Sequence, residues 1–369
     1  MNLPIASNKL LPADKTMQAR LPLRTGKEWR EIPPRATQWK LAWESRSRIF
    51  VSHTDFRKVM DLGSTGEMES ALSHDPEGGF LYRFRSSLHA LGSAYNEITA
   101  MNPLSGEKKS FFSIHPLRWI PWFLHKLCDK PILIGLVVTD ASRPEKPGVE
   151  LLHQIGLFHL KENRSVYRPL PAGCQFPLGL DHAKERILFS GPDGFQLVNL
   201  KGKRILRLPP GENWEARGGV GFHPKDGSFL LSGNGIHLCR PAEGGLRKIH
   251  SEGIHPTWSP DGEWIYFLKH SGELHRLHPE SGTLEFILST IQCRHPEIKM
   301  ARPPVFSPDG QYAALPITRR APLDTTHLKA GQATWSEHQT LVVLDLNQKM
   351  FWQHPGPVLQ ACWAGKSAA

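Results

Sequence analysis

One short turn constrains the fold of this chain more than any other feature: SPDG at residues 259–262. Its composition is that of a type I turn, with a small polar residue first, proline second and glycine fourth. The flanking stretches, HPTW before it and EWIYFLK after it, contain the aromatic and β-branched residues that suit a strand. The strand pattern then resumes twice, in ELHRLHP and LEFILST. Four short strands in about 40 residues is a spacing typical of one propeller blade.

The same unit recurs along the chain. SPDG is repeated at residues 307–310, and a form lengthened by one residue, HPKDG, occupies 223–227. Degenerate copies begin near residues 39, 72, 114 and 178. These copies amount to about seven units, with six and eight as the alternatives. The sequence therefore predicts an all-β protein built as a single β-propeller of four-stranded blades, with seven blades.

The repeats resemble the TolB-like, PD40-type family of WD40-like propeller repeats. The signature of that family is an aromatic residue, then SPDG, then an aliphatic-aromatic strand, and Phe222, Trp258 and Phe306 occupy the aromatic position here. The resemblance extends over residues 175–320 and is weak before residue 110. It implies the propeller fold and a bacterial protein. It does not imply a function, because the repeat occurs in TolB, in prolyl-oligopeptidase-like enzymes and in oligogalacturonate lyases.

The two ends of the chain are expected to meet. PVLQACWAG, near the C-terminus, matches an inner strand, with Trp363 in the aromatic position, and no second strand follows it. We expect it to pair with the N-terminal strands around SRIFVSH and so close the ring, which removes the edge strands. Residues 37–369 then form the propeller, and residues 1–36 form a basic N-terminal extension. The extension either lies on the propeller or engages a partner.

Composition favours a protein outside the secretory pathway and outside the membrane. The 32 glycines and 31 prolines suit many short turns, and no apolar run approaches the 18 or so residues that a membrane span requires. The first residues lack the apolar stretch of a signal peptide. The five cysteines are widely spaced and mostly lie in predicted strands, which favours buried thiols over disulfides or a zinc site. We therefore expect a cytoplasmic protein.

The net charge of +10 is dispersed along the chain. Its densest cluster, KGKRILR at residues 201–207, falls on a predicted hairpin, where a solvated turn is the simpler interpretation. Specific binding of nucleic acid is therefore not expected, although weak attraction to anionic surfaces is.

Catalytic and metal-binding motifs are not found in the sequence. G-x-S-x-G, C-x-x-C and H-E-x-x-H do not occur, and the AGKS near the C-terminus lacks the first glycine of a P-loop, since Gln360 holds that position. His275 and His278 are three residues apart on a predicted strand, so they point to opposite faces. We predict no cofactor, no metal ligand and no catalytic residue. An enzyme would need a site assembled from several blades.

Polar residues precede the predicted inner strands. In a propeller those strands line the central channel, so the residues just before them gather at one mouth of it. They are Gln175, Arg217, His255, Arg302 and Gln360. Two guanidiniums and an imidazole suit a carboxylate or a phosphate. The alternative is a set of solvated loop residues without a ligand.

These observations predict a non-catalytic binding or scaffolding propeller that holds an anionic ligand or an acidic protein partner at its channel mouth. The alternative function is a propeller-type lyase or hydrolase that acts on an acidic saccharide through a His-bound metal.

A second candidate site is the apolar stretch HPLRWIPWFLHKL, residues 115–127. Burial between sheets is the first expectation for its large side chains. If they are exposed, they would form a patch for a protein partner or a membrane surface. The residues of this partner patch are Trp119, Trp122, Phe123 and Leu124.

Overall fold

The described strands form seven sheets. The structure is a computed structural model, and it describes residues 23–45, 48–64, 72–74, 81–88, 94–114, 118–119, 124–127, 130–140, 151–209, 220–290, 304–322, 335–355, 358 and 360–366. Regular structure in these ranges is entirely β. Each sheet is a blade of at least four strands, and we number the blades in chain order from the one that contains residue 39. The all-β propeller of four-stranded blades is confirmed.

The first half of the chain contributes two short N-terminal strands and the strands of blades 1 to 3. The N-terminal pair is β1 (Leu23–Thr25) and β2 (Arg30–Glu31). Blade 1 contains β3 (Trp39–Ser45), β4 (Arg48–His53) and β5 (Val59–Ser64). Blade 2 contains β6 (Leu72–His74), β7 (Leu81–Leu88), β8 (Ala94–Met101) and β9 (Lys108–Ile114). Blade 3 contains β10 (Arg118–Trp119), β11 (Leu124–Lys126), β12 (Ile132–Asp140), β13 (Leu151–His159) and β14 (Arg164–Pro169).

The second half contributes blades 4 to 7 and the last strand. Blade 4 contains β15 (Phe176–Asp181), β16 (Arg186–Gly191), β17 (Gly194–Asn199) and β18 (Arg204–Leu208). Blade 5 contains β19 (Gly221–Phe222), β20 (Phe229–Gly233), β21 (Gly235–Arg240) and β22 (Gly245–His250). Blade 6 contains β23 (Ile254–Trp258), β24 (Ile265–Leu268), β25 (Leu274–Leu277) and β26 (Leu284–Thr290). Blade 7 contains β27 (Val305–Phe306), β28 (Tyr312–Pro322), β29 (Trp335–Asp345) and β30 (Met350–Pro355), and β31 (Gln360–Lys366) follows.

The C-terminal strand closes the ring. β31 pairs antiparallel with β3, so it is the innermost strand of blade 1 in the order β31-β3-β4-β5. Its direct partner is therefore WKLAWES, and the expected SRIFVSH stretch lies one strand further out. Trp363 is fully buried here, and its indole N–H donates to the Val305 carbonyl of blade 7 at 2.7 Å. The last strand thus binds the first and last blades together.

The described part of the N-terminal extension lies along the outer edges of the last two blades. β1 adds antiparallel to β26 as a fifth strand of blade 6, and β2 adds parallel to β30 as a fifth strand of blade 7. Between them Trp29 is 5% exposed and packs into the core shared by blades 6 and 7. Arg35 then forms an ion pair with Asp345 of blade 7 before the chain enters blade 1. We call residues 23–37 the N-terminal strap.

The core consists of apolar clusters between neighbouring blades. Large side chains fill the interfaces, and Trp352, Phe267 and Phe229 are among those that are fully buried. The described cysteines, Cys174, Cys239 and Cys362, are free and buried, as the spacing of the cysteines predicted. Burial raises the pKa of the Cys174 thiol to about 11. Among the described residues no helix is long and apolar enough to cross a membrane.

Candidate functional site

Each blade presents two kinds of turn, and they lie on opposite rims of the ring. The SPDG turns join the first strand to the second on one rim, which we call the turn rim. The inner strands begin on the other rim, the upper rim, beside the turns that join the second strand to the third. In blade 6 the start of the inner strand contacts the turn between the second and third strands, because Glu252 before β23 pairs with Lys269 after β24 at 2.5 Å. The upper rim is where the sequence places the channel-mouth residues.

His255 is the described channel-mouth residue with the most unusual geometry. It lies in the inner strand β23, is 7% exposed, and has a left-handed backbone with φ of 52°. The register between β23 and β24 shifts between Ile254 and Thr257, so His255 sits in a bulge. Gly253, two residues earlier, also has a positive φ, of 133°. A bulge of this kind redirects side chains at the rim of a sheet, and a left-handed non-glycine residue is retained only where the surroundings hold it.

A group of charged residues lies on the upper rim of blade 6, next to the start of β23. Glu252 is paired with Lys269, and the hydrogen bond from that ammonium group lowers the pKa of the Glu252 carboxyl. Glu273 contacts the Nε2 of His275 at 3.2 Å. Burial lowers the pKa of His275, and the nearby Lys269 lowers it further, although Glu273 opposes the shift. The sequence pattern did not mark these four residues as site residues. The available signal was position, because Glu252, Lys269 and Glu273 lie in the two turns next to the predicted site and His275 lies near the start of β25.

Of the other four predicted channel-mouth residues, the structure describes Gln175 and Gln360. Gln175 is exposed immediately before the inner strand β15, and its backbone N–H donates to the Ser190 carbonyl at 3.0 Å. Gln360 begins the inner strand β31, where its backbone pairs opposite Glu44. Arg217 and Arg302 lie outside the described residues. Gln175, His255 and Gln360 thus stand at or near the starts of the inner strands of blades 4, 6 and 1.

On the turn rim, the turns of blades 5 and 7 contact the neighbouring blades. The SPDG turn of blade 7 accepts hydrogen bonds on Asp309 from the side chains of Gln38 and Trp39 of blade 1, both at 2.6 Å. Burial alone would raise the pKa of Asp309, but the hydrogen bonds from Ser307 and Trp39 outweigh it and lower the pKa. The His223 ring of blade 5 packs edge-on against Trp258 of blade 6 at 4.7 Å. The turns of blades 5 and 7 thus hold neighbouring blades together, and the predicted channel-mouth residues belong to the upper rim.

The partner patch predicted in blade 3 is described only by its backbone. Trp119 lies in β10 and Leu124 lies in β11, and both strands pair with β12. Trp122 and Phe123 lie outside the described residues. Burial or exposure of this patch therefore stays a prediction.

The described histidines do not converge on a metal site. No group of three or more His, Cys, Asp or Glu side chains within the described ranges is arranged to hold an ion. His275 stacks on Phe267 with ring centroids 5.8 Å apart, whereas His278 packs edge-on against Trp264 at 5.3 Å. The two histidines thus contact different aromatic side chains, and His278 lies just beyond the end of β25 rather than within a strand.

Solved structures of other proteins resemble this chain in fold. The structure is similar to an oligogalacturonate lyase from Vibrio parahaemolyticus, with a TM-score of 0.54 and 10% identity over 81% of this chain and 95% of that one. The fold is a β-propeller. A second oligogalacturonate lyase, in complex with manganese, matches with a TM-score of 0.54 and 11% identity over 91% of this chain and 98% of that one.

TolB from Acinetobacter baumannii also matches, with a TM-score of 0.46 and 13% identity over 89% of this chain and 67% of that one. No family model matches the chain. No curated protein matches it either. At these identities the two lyase structures show the propeller fold, which the TolB-like repeats implied, and no activity.

Proposed function

We propose that this propeller is a non-catalytic binding or scaffolding module that holds an acidic protein partner or another anionic ligand at the upper-rim mouth of its channel. The observation that carries the proposal is His255, a buried polar residue in a left-handed bulge of an inner strand. A non-glycine residue in this conformation costs about 1–3 kcal/mol, and such residues cluster at binding sites.

The charges near His255 support an anionic partner. Lys269 lies on the same rim and is already paired with Glu252, so the additional positive charge must come from the predicted arginines, Arg217 and Arg302. A guanidinium binds a carboxylate with two parallel hydrogen bonds, which gives both affinity and orientation. The net charge of +10 also favours the approach of an acidic partner.

The test uses a labelled hexaglutamate peptide as the probe, with binding followed by fluorescence anisotropy at several salt concentrations. The Arg217→Ala/Arg302→Ala variant should weaken binding by about 100-fold, since charge-assisted hydrogen bonds are worth about 1.5–3 kcal/mol each. His255→Asn should weaken it by about tenfold while keeping the fold, because asparagine tolerates a left-handed backbone.

The matched control is His270→Asn, which removes an exposed histidine from a turn on the same rim. It should leave the affinity unchanged. If hexaglutamate binds the double arginine variant as tightly as the unmodified chain, the channel mouth is not the anion site and the proposal is wrong.

The alternative is a propeller-type lyase that acts on an acidic saccharide through a His-bound metal. The observation on its side is the fold shared with two oligogalacturonate lyases. The assay is ultraviolet absorbance of the unsaturated product after the chain is mixed with trigalacturonate and Mn²⁺. If the unsaturated product forms, and if His255→Asn abolishes its formation, then the protein is a lyase and the proposal of a non-catalytic binding module is wrong.

A further inference from the structure

Some blades have a fifth strand on their outer edge, and others have none among the described residues. Blades 6 and 7 have theirs covered by the N-terminal strap, through β1 and β2. The outer strand of blade 4, β18, pairs with β17 on one side, and no described strand pairs with its other side. An uncovered outer strand presents backbone N–H and C=O groups that can pair with another chain.

The outer strand of blade 4 contains the same kind of bulge as the covered outer strand of blade 6. In blade 6 a register shift leaves Ile287 as an extra residue of β26, and β1 pairs with residues 288–290, directly after it. In blade 4 the register shift leaves Ile205 as the extra residue of β18, and residues 206–208 follow. The chain itself therefore shows that a bulged outer strand of this propeller accepts a fifth strand.

The edge of blade 4 is strongly cationic. Four cations, Lys201, Lys203, Arg204 and Arg207, lie between residues 194 and 209, and that interval contains no Asp or Glu. All four are exposed. Arg207 reaches Asp193 at 3.4 Å, but both side chains are about half exposed, so this ion pair is weak. Charges of this kind discourage pairing with another copy of the same edge and attract an acidic strand.

A groove lies beside this edge, between blades 4 and 5. Its volume is about 410 Å³, and Ile205, Pro241 and Ala242 form an apolar part of its lining. Ile205 is 47% exposed beside this groove. An apolar side chain of a strand paired with β18 would find a partner here.

Charged side chains also line this groove, and most have partners within it. Lys184 donates to the Asp226 carbonyl, and Arg240 pairs with Glu243 at 3.4 Å. The Asp226 carboxylate accepts the backbone N–H of Ser228 at 2.7 Å. The lining cations Lys184, Arg186 and Arg240 face the anions Asp226 and Glu243, and Arg186 is paired with Asp181 at 2.5 Å, so the charges of the groove nearly balance. The excess positive charge lies on β18 and on the turn before it.

We propose that β18 and the adjacent groove bind an extended acidic segment of another protein, which adds to blade 4 as a fifth strand. The backbone edge of residues 206–208 supplies hydrogen bonds, as residues 288–290 do for β1. Side chains alternate in a strand, so acidic residues on one face meet Arg204 and Arg207 while an apolar residue on the other enters the groove beside Ile205. This site is on the circumference of the ring and does not depend on the channel mouth.

The probe is a labelled ten-residue peptide of alternating glutamate and valine, with binding to the full chain followed by anisotropy. The Arg204→Glu/Arg207→Glu variant should weaken binding by about 30-fold or more, because two charge-assisted contacts become repulsive. The matched control is Arg247→Glu/Lys248→Glu, which makes the same charge change on the neighbouring outer strand, β22. It should change the affinity by less than about threefold, since these charges lie on another edge.

Two further measurements separate strand addition from attraction between charges. The same peptide with N-methyl groups on alternate amides keeps every charge but cannot pair with β18, and it should bind at least about tenfold more weakly. Ile205→Ser should weaken the unmethylated peptide by about fivefold or more, because the apolar contact in the groove is lost.

Equal binding of the methylated and unmethylated peptides would overturn the proposal. So would a β22 variant that loses as much affinity as the β18 variant. Single-stranded DNA or phosphatidylserine vesicles that bind as tightly as the peptide and respond to the β18 variant would also overturn it, since they would show a general anion surface.

Discussion

The SPDG turns allow the cost of a left-handed backbone to be separated from the cost of a steric clash. Three of the left-handed turn glycines are compared: Gly262 with φ of 83° and Gly310 with φ of 70° in the SPDG turns, and Gly282 with φ of 71° in the turn between β25 and β26. A Cβ on Gly282 would meet nothing within 4 Å, whereas on Gly310 it would lie 3.3 Å from the Cβ of Pro260. On Gly262 it would lie 2.4 Å from the Nε2 of His223. The same substitution therefore meets three degrees of crowding.

Replacing each glycine with alanine should lower stability in the order Gly282, Gly310, Gly262, with Gly262→Ala the most harmful. The left-handed backbone alone costs about 1 kcal/mol at each position. At Gly262 the clash adds about 1–3 kcal/mol, because the His223 ring cannot easily move away. Its Nδ1 accepts the Asp226 N–H at 3.1 Å, and its ring packs against Trp258.

Thermal unfolding measures the difference. For 369 residues, the usual unfolding entropy gives about 1.3 °C of melting temperature per kcal/mol. Gly282→Ala should thus lower the melting temperature by about 1–1.5 °C and Gly262→Ala by about 3–5 °C. Adding His223→Ala to Gly262→Ala should recover about 1–3 kcal/mol relative to the sum of the single changes. Equal melting temperatures for Gly282→Ala and Gly262→Ala would refute the contact between the turn of blade 6 and blade 5.

Two further predictions concern ring closure and pH. Truncation after Pro355 removes β31 and its buried Trp363, so calorimetry and light scattering should show a broad transition and aggregation; a truncated chain that melts like the full one would contradict closure by β31. Burial beside Phe56 and Trp43 lowers the pKa of His354 to about 4, below the value of about 6.5 expected in the unfolded chain. The unfolded chain then binds the extra proton, so stability should be full above pH 6.5 and fall by about 3 kcal/mol towards pH 4. The melting temperature of His354→Phe should depend less steeply on pH over this window, and an unchanged slope would assign the loss to other groups.

Local sequence determined the repeating unit of this protein. A type I turn and strand-forming flanks act over only a few residues, so the SPDG copies and their aromatic neighbours predicted the blades. The last glycine of each copy, Gly262 and Gly310, has a left-handed backbone. The closing strand was also predictable, because Trp363 repeats the aromatic position of the other inner strands. The same repeat predicted the starts of the inner strands closely: Gln175 lies immediately before β15, as expected, whereas His255 lies inside β23 rather than before it.

The tertiary structure decided what depends on segments far apart in the chain. β31 could pair with either of two N-terminal strands by pattern alone, and the ring selects β3. Residues 23–31 carry no repeat signal; their strands form because blades 6 and 7 present open edges at the right place and a pocket for Trp29. The left-handed His255 and the exposed Ile205 both arise from bulges, in which one strand has a residue more than its partner. A bulge is set by the packing of whole strands, and for that reason local sequence did not reveal either one.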